Sequence, residues 1–244
     1  MKIIALIPAR SGSKGVPNKN IKNLDGLPLM AYSIILAKMI PDISEVIVST
    51  DSNKYASIAN KYGAETPFIR PKSISKDKST DLELFKHILD WYKENNIKKP
   101  DLIIHLRPTT PLRDPKIIKK AILSLNKYEC STSLRSGHKA SESPMKWFMK
   151  GKNGYFKPII KGLTSDLINS PRQNFPDIFI PNGYIDIIKS DTVLKSDSLH
   201  GKKMLVFETP RTYEIDNKDD LDFLQYKIKN EKSPIIEYYN NLKK

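Results

Sequence analysis

The first loop of the chain concentrates positive charge. Arg10, Lys14 and Lys19 place three cations within ten residues, and Gly12 and Gly15 let the backbone approach a ligand closely. Such a set suits a triphosphate. The spacing matches neither a Walker A loop nor the G-x-G-x-x-G dinucleotide motif. A flexible basic surface loop is the alternative interpretation.

A pair of acidic residues near the end of the chain could bind a metal. Glu214 and Asp216 are two positions apart, so an extended segment would turn both carboxylates to one face. Carboxylates, triphosphate oxygens and water form a shell that suits a hard cation, and Mg²⁺ fits best. The alternative for Asp216 is a capping role before the last predicted helix.

Other catalytic and metal-binding patterns are missing from the sequence. The four histidines, at 87, 105, 138 and 200, lack the spacing of a zinc motif, and no G-x-S-x-G elbow is present. Cys130 is the single cysteine, which excludes an intramolecular disulfide and a cysteine metal cluster. A reducing compartment fits this composition.

The first loop follows an apolar run over residues 2–7, which predicts a strand buried on both faces. The pattern then alternates between strands and helices, which indicates right-handed βαβ units and a mainly parallel sheet. Strands are predicted at 45–49, 65–69 and 102–106, and helices at 29–40, 53–62, 80–96 and 115–128. The loops after strands 2–7 and 102–106 should therefore open side by side at the carboxyl edge of the sheet.

Regular periodicity breaks over residues 136–181, which are rich in Ser, Pro, Gly and Lys. So long an irregular stretch in a compact domain indicates a functional insertion or an interface arm. Strand patterns return at 184–188 and 204–207, and a helix is predicted at 218–229. We interpret residues 1–244 as a single domain with an insertion at 136–181.

The net charge of +14 raises the question of nucleic-acid binding. Only seven of the 41 basic residues are Arg, and the lysines are scattered without an aromatic RNA-binding signature. We therefore predict a solvated lysine surface and no nucleic-acid partner. No apolar run reaches the roughly 18 residues of a membrane span, so we predict a soluble, cytoplasmic protein without membrane contact.

The motif Ala9-Arg10-x-x-Ser13-Lys14-Gly15-x-Pro17-x-Lys19-Asn20 closely resembles the signature of the acylneuraminate (CMP-sialic acid) cytidylyltransferases. CMP-Kdo synthetases are more distant relatives of that family. The resemblance runs over nearly the whole chain. It is renewed at Ser49-Thr50-Asp51, Arg70-Pro71, the segment Leu106 to Arg113, Pro171-Arg172-Gln173, Pro181-Asn182-Gly183 and Glu214-Ile215-Asp216.

The resemblance implies a Rossmann-like nucleotidyltransferase fold of the α/β class, with helices on both faces of the sheet. It implies nucleotide-binding roles for Arg10, Ser13, Lys14, Lys19, Asn20, Arg70 and Ser79. Among these, Asn20 would lie near the ribose, and Arg70 and Ser79 would flank the cytidine. Arg10, Lys14, Lys19 and Asp216 form the catalytic set.

The resemblance also implies a sugar-binding set: Arg107, Thr109, Lys146, Arg172, Gln173 and Asn182. The family usually has Gln at position 107, so Arg107 indicates either a different sugar or a rearranged salt link. The insertion at 136–181 matches the dimerisation region, from which Lys146, Arg172 and Gln173 would reach the partner's site. The metal is Mg²⁺ on Asp216, with Glu214 less secure because the family commonly has Asp there.

The implied reaction couples CTP to a nonulosonic acid in a homodimer and gives the CMP-sugar and pyrophosphate. N-acylneuraminate and legionaminate are the main sugar candidates, and a CMP-pseudaminate or CMP-Kdo synthetase-like enzyme is the alternative. Two other classes stay open at this stage. A metal-dependent glycosyltransferase would use preformed nucleotide sugars, and a basic nucleic-acid-binding protein would show salt-dependent binding without consuming CTP.

Overall fold

The computed structural model describes residues 1–13 and 15–243. The strands are β1 (Ile3–Pro8), β2 (Asn23–Leu24), β3 (Leu27–Pro28), β4 (Glu45–Ser49), β5 (Leu102–His105), β6 (Ser133–Lys139), β7 (Phe148–Lys150), β8 (Phe156–Pro158), β9 (Phe179–Lys189) and β10 (Met204–Glu208). Six of them form the central sheet, in the order β10-β6-β9-β5-β1-β4. The strands β2 with β3 and β7 with β8 form two small antiparallel pairs.

The central sheet is mostly parallel, as the alternating pattern predicts. The strand β1 pairs in parallel with β4 and β5, and β10 pairs in parallel with β6. The strand β9 is antiparallel to both of its neighbours, β5 and β6. The carboxyl ends of β1, β4, β5 and β6 therefore share one edge of the sheet, and the loops that follow them can build one site.

Helices cover both faces of the sheet. They are α1 (Leu29–Lys38), α2 (Asn53–Lys61), α3 (Asp81–Glu94), α4 (Pro115–Lys127), α5 (Ser165–Ile168), α6 (Ser190–Ser196), α7 (Lys218–Asn230) and α8 (Pro234–Leu242). Alternate residues of β1 enter different apolar clusters, one with α1, α2, α4, α7 and α8, and the other with α3 and α6. This alternation explains why β1 reads as a continuous apolar run.

Local capping interactions set the starts of the helices near the site. Thr80 and Glu83 form a capping box at the start of α3, and Asn217 and Asp220 form another at the start of α7. Asp114 caps α4 ahead of a proline in its first turn. The helices predicted at 29–40, 53–62, 80–96, 115–128 and 218–229 are confirmed with small changes at their ends.

Several elements differ from the prediction. The strand predicted at 65–69 is present only as two isolated parallel bridges to the neighbourhood of β4. The helices α6 and α8 and the pair β7 and β8 were not expected. Within residues 1–13 and 15–243, every helix is too short or too polar to cross a bilayer.

A row of polar residues crosses the central sheet at one level. His105 pairs in register with Asp186, which in turn pairs in register with Arg135. Residues that pair directly project from the same face of a sheet. His105 shares its strand face with Ile103, whose cluster packs against α3. The row therefore lies under the helix whose first residue is Asp81.

The irregular segment between β6 and β9, residues 140–178, is called the arm below. Residues 136–139 and 179–181 of the predicted insertion lie in β6 and β9 instead. The arm carries β7, β8 and α5. Its exposed large apolar side chains are Trp147, Phe148, Met149, Tyr155, Phe156, Ile159, Ile160 and Leu167. A surface of this kind is typical of a protein contact.

Candidate active site

A cleft of about 640 Å³ opens at the carboxyl edge of the sheet. Its volume is in the range of small-molecule sites. The structure brings together there most of the residues that the sequence singles out. The cleft is lined by Arg10, Ser13, Lys19, Asn20, Arg70, Ser79, Arg107, Thr109 and Asp216, among others. Lys14, which was predicted to bind the triphosphate, lies outside the described residues.

Two polar side chains fix the backbone of the first loop. The carboxylate of Asp51 accepts hydrogen bonds from the backbone N–H and the hydroxyl of Ser11, at 2.6 and 2.9 Å. The buried side chain of Asn20 donates to the carbonyl of Arg10 at 2.9 Å. Asn20 therefore lines the cleft while its amide nitrogen holds the loop, which adds a structural role to its predicted place beside the ribose.

Two cations of the first loop, Arg10 and Lys19, are paired with acids that line the cleft. Arg10 donates to Asp77 at 2.9 Å. Lys19 donates to the carbonyl of Ile215 at 2.7 Å and lies 3.3 Å from Asp216 Oδ1. A triphosphate would therefore compete with carboxylates that already neutralise part of this charge.

Gly15 packs directly against the backbone that carries Asp216. A Cβ atom at position 15 would lie 2.3 Å from the carbonyl oxygen of Asp216, a distance that side-chain carbons do not reach. The absence of a side chain is therefore required by this close approach. The first loop and the segment after β10 form one wall of the cleft.

Arg70 and Ser79 lie in the segment before α3, and both line the cleft. Arg70 is buried and donates to the carbonyl of Ser49 at the end of β4. Burial lowers the pKa of Arg70 to about 10, so the guanidinium stays charged at neutral pH. The hydroxyl of Ser79 accepts from the backbone N–H of Lys76 at 2.9 Å and retains its own proton for donation.

Arg107 is held between two carboxylates. Nη1 donates to Asp186 Oδ2 and Nη2 donates to Asp81 Oδ2, each at 2.9 Å. Burial works to lower the pKa of Arg107, but the charges of Asp186 and Asp81 outweigh it and raise the pKa. Arg107 is thus engaged in a salt link within the protein, and a different sugar stays a prediction.

His105 lies beside this ion pair and is fully buried. Its Nδ1 is 3.9 Å from Asp81 Oδ2, and neither ring nitrogen has a hydrogen-bond partner within the described chain. Burial, together with the charge of Arg107, lowers the pKa of His105 to about 4. The imidazole is therefore neutral at physiological pH. Burial would raise the pKa of Asp81, but His105 and Arg107 hold it below its ordinary value.

The structure separates the two predicted metal ligands. Asp216 lines the cleft and its side chain is 76% exposed. Glu214 does not line this cleft; its Oε1 lies 3.5 Å from the hydroxyl of Thr110 and also sits close over Gly183. Among the residues described, no cluster of three or more His, Cys, Asp or Glu side chains could hold a metal ion.

The carboxylate of Asp216 fits Mg²⁺ as a protein ligand to a metal that also binds substrate phosphates. Mg²⁺ keeps several waters and commonly takes one or two carboxylates together with substrate phosphates. Asp216 offers an exposed carboxylate, and among residues 1–13 and 15–243 its one side-chain hydrogen bond is accepted by Oδ1 from Lys19. The residues are thus suited to a metal carried largely by a triphosphate, with Asp216 as the protein ligand.

Four predicted sugar-binding residues do not line the cleft of their own chain. Lys146 donates to the carbonyl of Ser170, and Arg172 donates to the carbonyl of Ala140, each at 2.8 Å. Arg172 and Gln173 line a separate cavity of about 330 Å³ at the base of the arm. The arm therefore presents Lys146, Arg172 and Gln173 away from the cleft.

Asn182 is the fourth of these residues, and its amide is fully used within the fold. Its Oδ1 accepts from the hydroxyl of Ser136 at 2.9 Å, and its Nδ2 donates to the hydroxyl of Thr209 at 2.8 Å. Asn182 is buried in β9 and contacts Ser136 of β6 and Thr209, the residue after β10. In this structure it ties strands together, and the cleft is lined by other residues.

Three charged residues were not singled out by the sequence analysis. Asp81 reads as the first residue of a helix, and Arg113 as the end of a motif. Asp186 carried a usable signal, because a lone acid between Ile185 and Ile187 in an apolar strand must find a buried partner.

Arg113 is a fully buried hub beneath the loop that carries Arg107. It donates to the carbonyls of Tyr184, Arg107 and Gly183, at 2.7, 2.8 and 3.1 Å, and to the hydroxyl of Ser33 at 3.2 Å. Burial lowers the pKa of Arg113 to about 9. The guanidinium fixes the loop after β5 to β9 and α1.

Comparisons with known proteins show the family of this chain. A family model described as Cytidylyltransferase matches residues 4–146. The N-acylneuraminate cytidylyltransferase of Escherichia coli is 32% identical over 249 residues, covering 99% of this chain and 55% of that protein. The chain thus spans about half the length of that relative. The CMP-N,N'-diacetyllegionaminic acid synthase of Campylobacter jejuni is 31% identical over 229 residues, covering 93% of this chain and 95% of that protein.

A solved structure is similar in fold. It is a CMP:2-keto-3-deoxy-manno-octonic acid synthetase complexed with CTP, with a TM-score of 0.69 and 16% identity, covering 94% of this chain and 99% of that one. This likeness confirms the α/β nucleotidyltransferase fold. The matched family model covers more than half of the chain, and the two relatives extend over nearly all of it. The chain therefore belongs to the cytidylyltransferase family.

Proposed function

We propose that this protein transfers CMP from CTP to a nonulosonic acid and releases pyrophosphate. The observation that carries the proposal is the cleft itself, in which Arg10, Lys19, Arg70 and Asp216 converge at the carboxyl edge of the sheet. Cations and one exposed carboxylate suit a metal-bound triphosphate better than a neutral substrate. The names of the two relatives, one for an acylneuraminate and one for a legionaminic acid, support a nonulosonic acid as the acceptor.

The nucleotide would occupy the side of the cleft formed by the first loop and the segment before α3. Arg10, Ser13 and Lys19 would hold the triphosphate, with Lys14 retained from the sequence motif. Arg70 and Ser79 would contact the cytidine. Binding exchanges partners, because Arg10 must turn from Asp77 to a phosphate oxygen. The exchange keeps the guanidinium of Arg10 paired with an anion in the bound state.

The reaction would be an in-line displacement at phosphorus. The anomeric hydroxyl oxygen of the sugar attacks the α-phosphorus of CTP and loses its proton to solvent. The bond from the α-phosphorus to the bridging oxygen breaks, and that oxygen leaves with pyrophosphate. Arg10 and Lys19 would stabilise the charge on the leaving group, and the rigid first loop would hold the α-phosphorus in line. Mg²⁺, held by Asp216, would neutralise triphosphate charge when bound.

A second copy of the chain is part of the proposal. Lys146, Arg172 and Gln173 lie on the arm, outside the cleft of their own chain. The arm exposes the apolar side chains of Trp147, Phe148 and Tyr155. Burial of that surface against a partner would bring arm residues to a neighbouring cleft. Light scattering of the purified protein should then give twice the chain mass of 27.9 kDa.

Pyrophosphate release tests the activity. Purified protein with Mg²⁺ is incubated with CTP, UTP, GTP or ATP, crossed with a panel of nonulosonic acids, Kdo and a sugar 1-phosphate. Release only with CTP and one sugar acid is the expected result and names the substrate. Release with the sugar 1-phosphate would contradict the proposed acceptor, and no release in any well would contradict the proposed activity.

A further inference from the structure

The guanidinium of Arg107 is already committed to the protein on both sides. Its terminal nitrogens donate to Asp186 and Asp81, each at 2.9 Å. A substrate carboxylate normally binds an arginine through two parallel hydrogen bonds. In this structure, the two terminal nitrogens are aimed at protein carboxylates instead. Direct receipt of the sugar carboxylate would require one of these ion pairs to break.

Burial makes the link to Asp186 the harder one to break. Asp186 is 1% exposed, and its Oδ1 has no hydrogen-bond partner within residues 1–13 and 15–243. The next cation, Arg135, has its Nε 3.7 Å from that oxygen, beyond hydrogen-bonding distance. Release of Arg107 would remove a hydrogen-bonded cation from this buried carboxylate and leave Arg135 at 3.7 Å, which is unfavourable. Arg107 is therefore held in place by its ion pair with the buried Asp186.

Asp81 is the half-exposed end of the chain of ion pairs. Its side chain is 39% exposed and lines the cleft, whereas Asp186 lies beneath the surface. Arg107 and His105 approach Asp81 Oδ2, and Oδ1 makes no hydrogen bond to any described residue. Asp81 thus presents one unused acceptor atom to the cleft, in an orientation fixed by Arg107.

The unused oxygen of Asp81 disfavours a second anion in direct contact with it. Arg107 is shared by Asp81 and Asp186, and a further cation, Arg135, lies 3.7 Å from Asp186. A sugar carboxylate placed next to Asp81 would be repelled, whereas a hydroxyl or amide N–H would be attracted. Because Asp81 is bonded to the loop after β5, its unused oxygen belongs to the same wall of the cleft as Arg107, Pro108 and Thr109.

We propose that Asp81 selects the acceptor sugar by accepting a hydrogen bond from a sugar hydroxyl or amide N–H, and that Arg107 is a positioning residue for Asp81. The inference rests on the proposed function and adds to it a sugar-binding role for Asp81, which Arg107 holds in place. In this proposal the sugar carboxylate does not bind to Arg107. Arg107 contributes to sugar binding through the orientation of Asp81.

The test compares D81N and R107K with wild type and with E83Q. Glu83 lies on the same turn of α3 and does not line the cleft, so E83Q controls for an acid-to-amide change at this helix start. D81N removes the acceptor that faces the sugar, because its amide oxygen must turn to Arg107. R107K keeps the charge but cannot bridge two carboxylates in a fixed geometry. Thermal unfolding of each variant checks that it is folded.

Steady-state kinetics with varied sugar and varied CTP give the main readout. We expect D81N to raise the KM for the sugar about 10- to 100-fold and to change the KM for CTP little. R107K should show the same selective change, and D81N/R107K should be no worse than the more affected single variant, because both act through one contact. E83Q should match wild type.

An acceptor whose carboxylate is replaced by a carboxamide gives a second readout. The proposal predicts that R107K keeps the wild-type preference for the carboxylate over the carboxamide. Loss of that preference in R107K would overturn it, as would a wild-type sugar KM in D81N. A change in the CTP to UTP ratio of D81N, with the sugar KM unchanged, would assign Asp81 to the nucleobase and also overturn it. If wild type were inactive with every sugar acid, the proposed function would fail first and this inference with it.

Discussion

Lys19 Nζ lies 3.3 Å from Asp216 Oδ1, although the two residues are 197 positions apart in the chain. The same ammonium group donates to the carbonyl of Ile215 at 2.7 Å. These contacts join the first loop to the segment after β10, and Gly15 packs on that segment as well. The proposed triphosphate site and the proposed metal ligand are therefore joined by direct contacts. A change on either side should affect nucleotide binding.

Substitution of Asp216 should act mainly through the metal. D216N keeps a polar side chain next to Lys19 but removes the charge that Mg²⁺ needs. We expect kcat to fall about 100-fold or more at a fixed Mg²⁺ concentration, because several kcal/mol of charge stabilisation are lost. The fall should be partly offset by raising Mg²⁺. D222N, on an exposed position of α7, is the control, and a D216N enzyme with normal Mg²⁺ dependence would contradict the assignment.

Substitution of Gly15 should displace the first loop without unfolding the protein. A Cβ atom there would lie 2.3 Å from the carbonyl oxygen of Asp216, so the loop or its partner must move. We expect G15A to lower kcat/KM for CTP about 100-fold, since misplacement by about 1 Å has effects of this size. The KM for the sugar should change less. G151A in the arm is the control, and wild-type kinetics in G15A would show that the contact is dispensable.

Substitution of Arg113 should reduce stability. R113Q leaves the buried carbonyls of Tyr184, Arg107 and Gly183 without a guanidinium donor. We expect the free energy of unfolding to fall by about 3–5 kcal/mol. For a domain of this size that corresponds to a decrease in Tm of roughly 10 °C. The exposed Arg211 provides the control R211Q, and an unchanged Tm in R113Q would refute the structural role of the hub.

The stability of the protein should depend on pH through His105. In the folded state its pKa is lowered to about 4, whereas an unfolded chain has a histidine pKa near 6.5. The unfolded state therefore binds the proton first, and this contribution to stability is lost as pH falls from about 6.5 to about 4. The charged groups around the ring are Asp81, Arg107, Asp186 and Arg113.

The variant H105F isolates the contribution of His105 to the pH dependence of stability. A phenyl ring keeps the edge contact with Phe85 and loses no hydrogen bond to a described residue, because the imidazole nitrogens make none there. Urea unfolding of H105F and wild type at several pH values should give a difference that shifts in favour of H105F as pH falls from 6.5 to 4. Parallel curves over that range would mean that His105 does not titrate as described.

Much of the fold could be predicted because each element has a local signal. The strand β1 is a continuous apolar run, and α3 is preceded by the N-cap residue Thr80, with the acidic Glu83 three residues later. The orientation of β9 could not be predicted, since an apolar strand pattern is the same in either direction. The short helix α6 lies directly after β9 and has no apolar period long enough to detect.

The site was predictable where residues act close to their own loop. Arg10, Lys19 and Arg107 follow strands, and topology alone brings them to one edge. The roles of Asp81, Asp186 and Asn182 depend on which side chains meet across the sheet. Asp186 meets Arg107 only because β9 lies between β5 and β6. A contact of this kind is fixed by packing and leaves no pattern along the chain.

The most direct test of the proposed reaction is the identity of the phosphorus-containing products. Wild-type protein, Mg²⁺, CTP and the accepted nonulosonic acid are followed by ³¹P NMR, with mass spectrometry of the sugar product. For transfer of CMP to the sugar, we expect pyrophosphate and one CMP-sugar diester to appear in equal amounts. CTP should be stable without the sugar. Pyrophosphate with free CMP and no diester, or CTP that stays intact with every sugar acid, would contradict the proposed reaction.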